Sequence, residues 1–113
     1  MKVEVQVSSS CAHRDATLDA VRAAMAEAGI AGDPQIVSVG DYEQAKALRC
    51  FGSPTVRVDG VDVEYGDREP EEFTTGCRYY NSPEGWVPVP RKELVLRGID
   101  TARRRAERAA KPS

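Results

Sequence analysis

The chain has 113 residues, of which 41% are hydrophobic and 30% are charged, a composition typical of one globular domain with a single core. Its formal net charge of -2 and its pI near 5.4 exclude a general attraction to nucleic acid or to an anionic membrane. No apolar run reaches the ~20 residues of a membrane-spanning helix. The first residues do not resemble a secretory leader.

The chain contains three cysteines, a small and odd number for a secreted disulfide framework. A reducing cytoplasm is therefore the expected location, with neither nucleic acid nor a membrane as partner. We expect one domain over residues 1–109 and a frayed tail at residues 110–113. The sequence leaves the oligomeric state open.

The first part of the chain predicts a strand followed by a helix. Residues 2–8 alternate polar and apolar side chains, with valine at every second position, as expected for a strand with one buried face. Apolar residues at helical spacing then predict a helix over about 13–29, which Gly29 ends. This helix should begin within two or three residues of Cys11.

A second strand and a second helix follow. Residues 35–39 have the composition of a strand, and Asp41 is a good N-cap for the helix behind it. That helix should end near Cys50, because Gly52 and Pro54 come next. Since a helical crossover joins the two strands, they should be parallel.

The stretch around Pro54 predicts a β-hairpin. A proline cannot donate to a sheet ladder, so Pro54 should mark the first residue of a strand or a cis turn leading into it. Residues 55–58 are rich in β-branched side chains, and Asp59-Gly60 is a two-residue hairpin signal before residues 61–64. The hairpin should add antiparallel strands to the sheet.

The rest of the chain predicts a long loop and a last helix. Residues 66–90 are interrupted by proline and glycine, and because about 25 residues is long for a structureless loop, we expect a short extended piece at residues 77–80. Pro90 should open a helix with an apolar stripe down to about Ala109. The aromatic residues of the loop are expected to anchor it on the domain, with a partner groove as the alternative. They are Tyr79, Tyr80 and Trp86.

These features together resemble the thioredoxin-like fold. The shared features are the order of the elements, a cysteine between the first strand and the first helix, and Ser53-Pro54-Thr55 before the third strand. The resemblance implies an α/β, βαβαββα sandwich with a mixed four-stranded sheet and a long loop before the last helix. It also implies a cis bond between Ser53 and Pro54.

A closer resemblance covers residues 2 to about 108. Residues 52–60, 62–64 and 77–80 resemble those of a family of small bacterial thioredoxin-like proteins. Some members carry selenocysteine at the position of Cys11, and some are labelled alkylmercury lyases. The resemblance implies a thiol or disulfide substrate, either small or carried by a protein.

Cys11 is the expected reactive cysteine. Its motif, Cys11-Ala12-His13-Arg14, has no second cysteine one helical turn on, which excludes dithiol cycling within the motif. Free N–H groups at a helix N-terminus stabilise a thiolate, and Arg14 and protonated His13 would add to this. His13 is therefore a catalytic candidate, the alternative being a solvated side chain. Arg14 is a candidate for substrate binding.

The other two cysteines are expected to differ in role. Cys50 is predicted to be a small buried hydrophobe at the end of the second helix. If residues 61–64 form the fourth strand, the loop 66–90 would start beside Cys11 and could bring Cys77 within range to resolve it. If residues 77–80 form that strand instead, Cys77 lies at the far end of the sheet. We favour the first arrangement, because Asp59-Gly60 ties the hairpin together.

Three functions are compatible with this sequence. The first is a thiol-disulfide oxidoreductase in which Cys11 attacks, Cys77 resolves, and Ser53 and Pro54 present backbone to a substrate strand. The second is the binding of a thiophilic ion such as Hg(II) by the two thiolates. The third is a redox-inactive adaptor that binds proteins near Pro54. No glycine-rich phosphate loop or Ser/His/Asp triad is present, and we expect neither a cofactor nor a resident metal.

Overall fold

The computed structural model describes residues 1–9, 11–66 and 73–110. Residues 111–113 of the predicted tail lie outside the described residues. Within the described part the fold is α/β, with three helices and a mixed four-stranded sheet. The elements in chain order are β1 (Val3–Ser8), α1 (Arg14–Glu27), β2 (Gln35–Val39), α2 (Tyr42–Leu48), β3 (Phe51–Ser53), β4 (Thr55–Val58), β5 (Val61–Asp62), β6 (Thr74–Cys77), β7 (Tyr80–Ser82), β8 (Gly85–Val87) and α3 (Lys92–Ala110).

The main sheet has the strand order β2-β1-β4-β5. β1 and β2 are parallel, as the helical crossover predicted, and β4 is antiparallel to both β1 and β5. The hairpin turns at Asp59 and Gly60, whose φ angles of 51° and 82° are those that a tight hairpin turn requires. β5 is shorter than predicted, because Asp62 accepts the N–H groups of Glu64 and Tyr65 and turns the chain out of the ladder.

Both predicted boundaries of α1 are close to those observed. The helix begins at Arg14, three residues after Cys11. It ends in a Schellman motif, in which Gly29 has a φ of 75° and the N–H of Ile30 donates to the carbonyl of Met25 at 2.8 Å. Glycine suits that position because it adopts positive φ without steric cost.

The other two helices also begin and end near their predicted limits. The Asp41 side chain accepts the N–H of Gln44 at 2.9 Å and caps α2, which ends at Leu48, two residues before Cys50. α3 begins two residues after Pro90 and extends to Ala110. Among the described residues, no helix is both long enough and apolar enough to span a bilayer.

The alternation along β1 separates two packed faces of the sheet. Val5 and Val7 belong to the main core, which includes buried residues of α1 and α3. Gln6 faces the other way, and its side-chain N–H group donates to the carbonyl of Leu48 at the end of α2 at 2.9 Å. α2 therefore covers the face opposite α1 and α3. A second, small core there contains Val39, Ala45 and Cys50.

Residues 73–90 contain more regular structure than predicted. β6 pairs in parallel with β3, and β7 and β8 form a separate hairpin. The extended piece predicted at 77–80 is displaced, because Arg78 leaves the strand and its side chain enters the interior. The anchoring role predicted for the loop aromatics is correct for Tyr80, which is fully buried. It is wrong for Tyr79 and Trp86, which are 53% and 69% exposed.

Candidate thiol site beside Ser53

Ser53 is held from two sides by hydrogen bonds. The bond between Ser53 and Pro54 is cis, as predicted. The hydroxyl oxygen of Ser53 accepts the backbone N–H of Ser8 at 2.9 Å. The backbone carbonyl of Ser53 accepts the N–H of Arg78 at 3.1 Å. The carbonyl of Pro54 accepts the hydroxyl of Tyr80 at 2.6 Å. The Ser53-Pro54 pair is thus linked to β1 on one side and to the β6 and β7 segments on the other.

Cys11 is connected to Ser53 through Ser8, the last residue of β1. Its N–H donates to the carbonyl of Ser8 at 3.1 Å, in the turn that leads from β1 to α1. The side chain is half-buried and packs against the main core. The same residue, Ser8, therefore donates to Ser53 and accepts from Cys11.

Cys77 reaches Ser53 from the opposite side. It is the register partner of Ser53 in the parallel β3–β6 pair, and it is exposed. The register of the pair shifts between Phe51 and Ser53, so this pairing places the backbone of Cys77 beside that of Ser53. The arrangement that would have put Cys77 at the far end of the sheet is wrong, since the fourth strand is β5.

Cys50 is separated from this site by burial. Its side chain is 1% exposed, and its thiol donates to the carbonyl of Gly52 at 3.3 Å and lies 3.8 Å from the hydroxyl of Thr55. This confirms the prediction that Cys50 is a small buried side chain. All three cysteines are free thiols.

His13 and Arg14 are less involved than the sequence suggested. His13 precedes α1, but its side chain makes no capping bond. Its carbonyl instead accepts the N–H and the hydroxyl of Thr17, at 3.0 and 2.7 Å. Arg14 is exposed and makes no ion pair with another described residue. The catalytic role of His13 and the substrate-binding role of Arg14 stay predictions.

The strongest polar cluster near the site was not predicted. Arg78, which follows Cys77 directly, is 3% exposed. Its two terminal nitrogens each donate a hydrogen bond to the carboxylate of Asp62, at 2.6 and 2.8 Å. Its guanidinium lies over the rings of Tyr65 and Tyr80, 4.5 and 4.2 Å from their centroids. Stacking between aromatic faces adds cation–π attraction to the bidentate bond.

The pKa values of this cluster follow from burial and pairing. Burial alone would raise the pKa of Asp62, but the hydrogen bonds and charge of Arg78 hold it below its ordinary value. Burial would lower the pKa of Arg78, and the bond to Asp62 raises it instead. Burial raises the pKa of Tyr80, so its phenol stays protonated and donates to Pro54.

One sequence signal could have revealed this cluster. Asp62 alternates with Val61 and Val63 in the predicted strand, and an acid at such a position requires a partner if that side of the strand is covered. The sequence does not say which of the twelve arginines supplies it. Arg78 reads as a surface residue, because arginine is rarely buried unless paired.

Among the described residues, no group of three or more His, Cys, Asp or Glu side chains is placed to bind a metal ion. Comparisons of the chain with protein-family models, with curated proteins and with solved structures found no significant match. The function must therefore be argued from the arrangement of Cys11, Ser53 and Cys77.

Proposed function

We propose that this protein is a thiol-disulfide oxidoreductase with a thioredoxin-like fold, in which Cys11 attacks the substrate and Cys77 resolves the intermediate. The fold proposal is supported by the strand order β2-β1-β4-β5 and by the placement of α1 and α3 on one face and α2 on the other. The observation that carries the function is that both non-buried cysteines are connected to Ser53, Cys77 as its register partner and Cys11 through the hydrogen bonds of Ser8.

The reaction needs only the two thiols and a disulfide. The Cys11 thiolate attacks one sulfur of the substrate disulfide, forming a mixed disulfide and releasing the first substrate thiolate. The Cys77 thiolate then attacks the sulfur of Cys11 and releases the second. The two protein thiols are oxidised to one disulfide, the substrate disulfide is reduced, and the two protons pass to the released thiolates.

Three serine variants test this assignment. Each variant is mixed with one equivalent of a small aromatic disulfide, so that a second thiolate can come only from resolution of the mixed disulfide, and the coloured thiolate released is counted per chain. The Cys77→Ser variant should release one thiolate and keep a mixed disulfide at Cys11. The Cys11→Ser variant should lose the fast phase. The Cys50→Ser variant is the matched control, because its hydroxyl can still donate to Gly52, and it should release two thiolates like the wild type.

The same measurement separates the proposal from its competitor. If Cys11→Ser keeps the fast phase, Cys11 is not the attacking thiol and the assignment is refuted. A wild type that shows no fast phase would favour the redox-inactive adaptor. If Cys77→Ser still releases two thiolates, Cys77 is not the resolving residue.

A further inference from the structure

A cavity of about 480 Å³ lies between α3 and the β4–β5 hairpin, at the edge of the main sheet. This volume is within the range of sites that hold small molecules. Neither the three cysteines nor Ser53 belong to its described wall, so the cavity is separate from the thiol site. The proposed thiol-disulfide exchange does not use it.

The floor of the cavity is aliphatic. Val58, Val61 and Val63 line it from the hairpin, and Ala102 and Ala106 line it from α3. The described part of the wall contains no aromatic side chain, so a ring in a ligand would find no partner for stacking there. The floor therefore suits an aliphatic chain better than an aromatic one.

Gly98 sets the distance between α3 and the hairpin. A Cβ atom at this position would lie 2.7 Å from Cγ1 of Val63, closer than real Cβ atoms approach another atom. The helix therefore packs directly against Val63 at Gly98. Ala102 and Ala106, one and two turns further along the same side of α3, are too short to fill the space beside the hairpin.

The three described acids of the wall already have partners within the chain. Asp62 forms the buried ion pair with Arg78, and a carboxylate oxygen of Glu64 lies 3.8 Å from the same guanidinium. Asp59 accepts the backbone N–H of Lys2 at 2.7 Å. The negative charge of the wall is thus engaged in contacts that hold the hairpin in place.

Arg97 differs from these acids. It is exposed, it lines the cavity, and it makes no hydrogen bond or ion pair with another described residue. Arg105 also lines the cavity but already interacts with other groups of the chain. A guanidinium binds a carboxylate through two parallel hydrogen bonds, so Arg97 offers an anion site at the entrance to an aliphatic floor.

We propose that this cavity binds an aliphatic monocarboxylate, with the carboxylate on Arg97 and the chain along the valines and alanines of the floor. From Arg97 to Ala106 the wall of α3 extends about 14 Å, which accommodates a saturated chain of medium length. This binding function is independent of the reaction at Cys11, and either can fail without the other.

An NMR titration of the ¹⁵N-labelled full chain at pH 7 tests the proposal with two probes of the same shape. The probes are octanoate and octanamide, which has the same chain without the charge. Octanoate should bind about tenfold more tightly, because a charge-assisted hydrogen bond is stronger than a neutral one. Its largest amide shifts should fall in residues 58–66 and 97–106. Hexanoate should bind more weakly than octanoate, because it buries fewer methylene groups.

Two pairs of variants in α3 locate the site. Arg97→Gln should weaken octanoate binding about tenfold and leave octanamide unchanged, whereas Arg108→Gln, which removes the same charge from an exposed position outside the cavity wall, should change neither. Ala106→Phe should weaken both probes by filling the floor. Ala109→Phe adds the same ring at an exposed position outside the wall and should weaken neither.

The spectra also show whether each variant is folded, so a loss of binding is not confused with a loss of structure. Equal affinities for octanoate and octanamide, or equal effects of Arg97→Gln and Arg108→Gln, would overturn the assignment of the carboxylate to Arg97. Unchanged binding in Ala106→Phe would overturn the cavity as the site. The absence of shifts with millimolar octanoate would overturn the whole inference.

Discussion

Arg78 joins the buried interior to the thiol site through two of its groups. Its guanidinium forms a bidentate ion pair with Asp62, and its backbone N–H donates to Ser53. Cys77 precedes it directly, so the position of this thiol beside Ser53 depends on an ion pair inside the protein. The interior of this small domain thus sets the geometry of its most exposed cysteine.

Asp62→Asn should destabilise the protein strongly, because it leaves the buried Arg78 without its counter-charge. We expect the free energy of unfolding to fall by about 3–5 kcal/mol, measured by urea denaturation. The matched control is Asp33→Asn, which removes the exposed ion pair of Asp33 with Arg22 and should cost about 0–1 kcal/mol. Equal losses of unfolding free energy in the two variants would show that the buried Asp62–Arg78 pair contributes no more to stability than an exposed one.

The buried ion pair between Asp62 and Arg78 also predicts a loss of stability in acid. The pKa of Asp62 is lowered in the folded state, so the stability that its carboxylate confers is complete above the ordinary value of about 3.9 and is lost as the pH falls through the lower folded value. The difference in unfolding free energy between wild type and Asp62→Asn should be constant near neutral pH and shrink below about pH 3.9. A difference that persists unchanged in acid would count against the pair.

Gly52→Ala should separate β6 from β3. Gly52 has a φ of 116°, and a Cβ there meets Arg78. Gly85→Ala is a matched control, because Gly85 has a similar φ of 109° and nothing within 4 Å of its added Cβ. Backbone strain should cost each variant about 1–3 kcal/mol, and the clash should cost Gly52→Ala about 1–3 kcal/mol more. Urea denaturation measures both, and the close-approach account requires Gly52→Ala to be the less stable.

Ser53→Ala should slow the second step of the reaction more than the first. It leaves the N–H of Ser8 without the Ser53 hydroxyl, which loosens the turn that carries Cys11. Stopped-flow release of the two thiolates separates mixed-disulfide formation from its resolution by Cys77. Resolution should slow several-fold, and Ser53→Thr, which keeps the hydroxyl, should restore it. Equal slowing of both steps would show that Ser53 does not act through the relative placement of the two thiols.

Much of the architecture could be predicted from local patterns in the sequence. Alternation identified β1, and single residues with a defined stereochemical role identified the end of α1 at Gly29, the start of α2 at Asp41 and the hairpin at Asp59-Gly60. Each of these signals acts over a few residues, where propensity and capping decide the conformation.

The site was only partly predictable, because its decisive contacts join distant segments. Cys11 and Pro54 were recognisable from their positions relative to strands and helices. The pairing of β6 with β3 was not, since Thr74–Cys77 lacks a strand pattern and is stabilised by Phe73 and Arg78 at its ends. A parallel pair of short strands depends on such tertiary contacts more than on propensity.

Disulfide mapping after oxidation tests the central claim most directly. The reduced protein is treated with one equivalent of a small disulfide under native conditions, its remaining thiols are blocked, and it is digested with trypsin. The three cysteines fall on separate tryptic peptides, residues 3–14, 50–57 and 69–78, so mass spectrometry identifies each pair. The account predicts a linked species of peptides 3–14 and 69–78, with Cys50 blocked as a free thiol. A link from Cys11 to Cys50, or a stable mixed disulfide at Cys11 with Cys77 free, would contradict it.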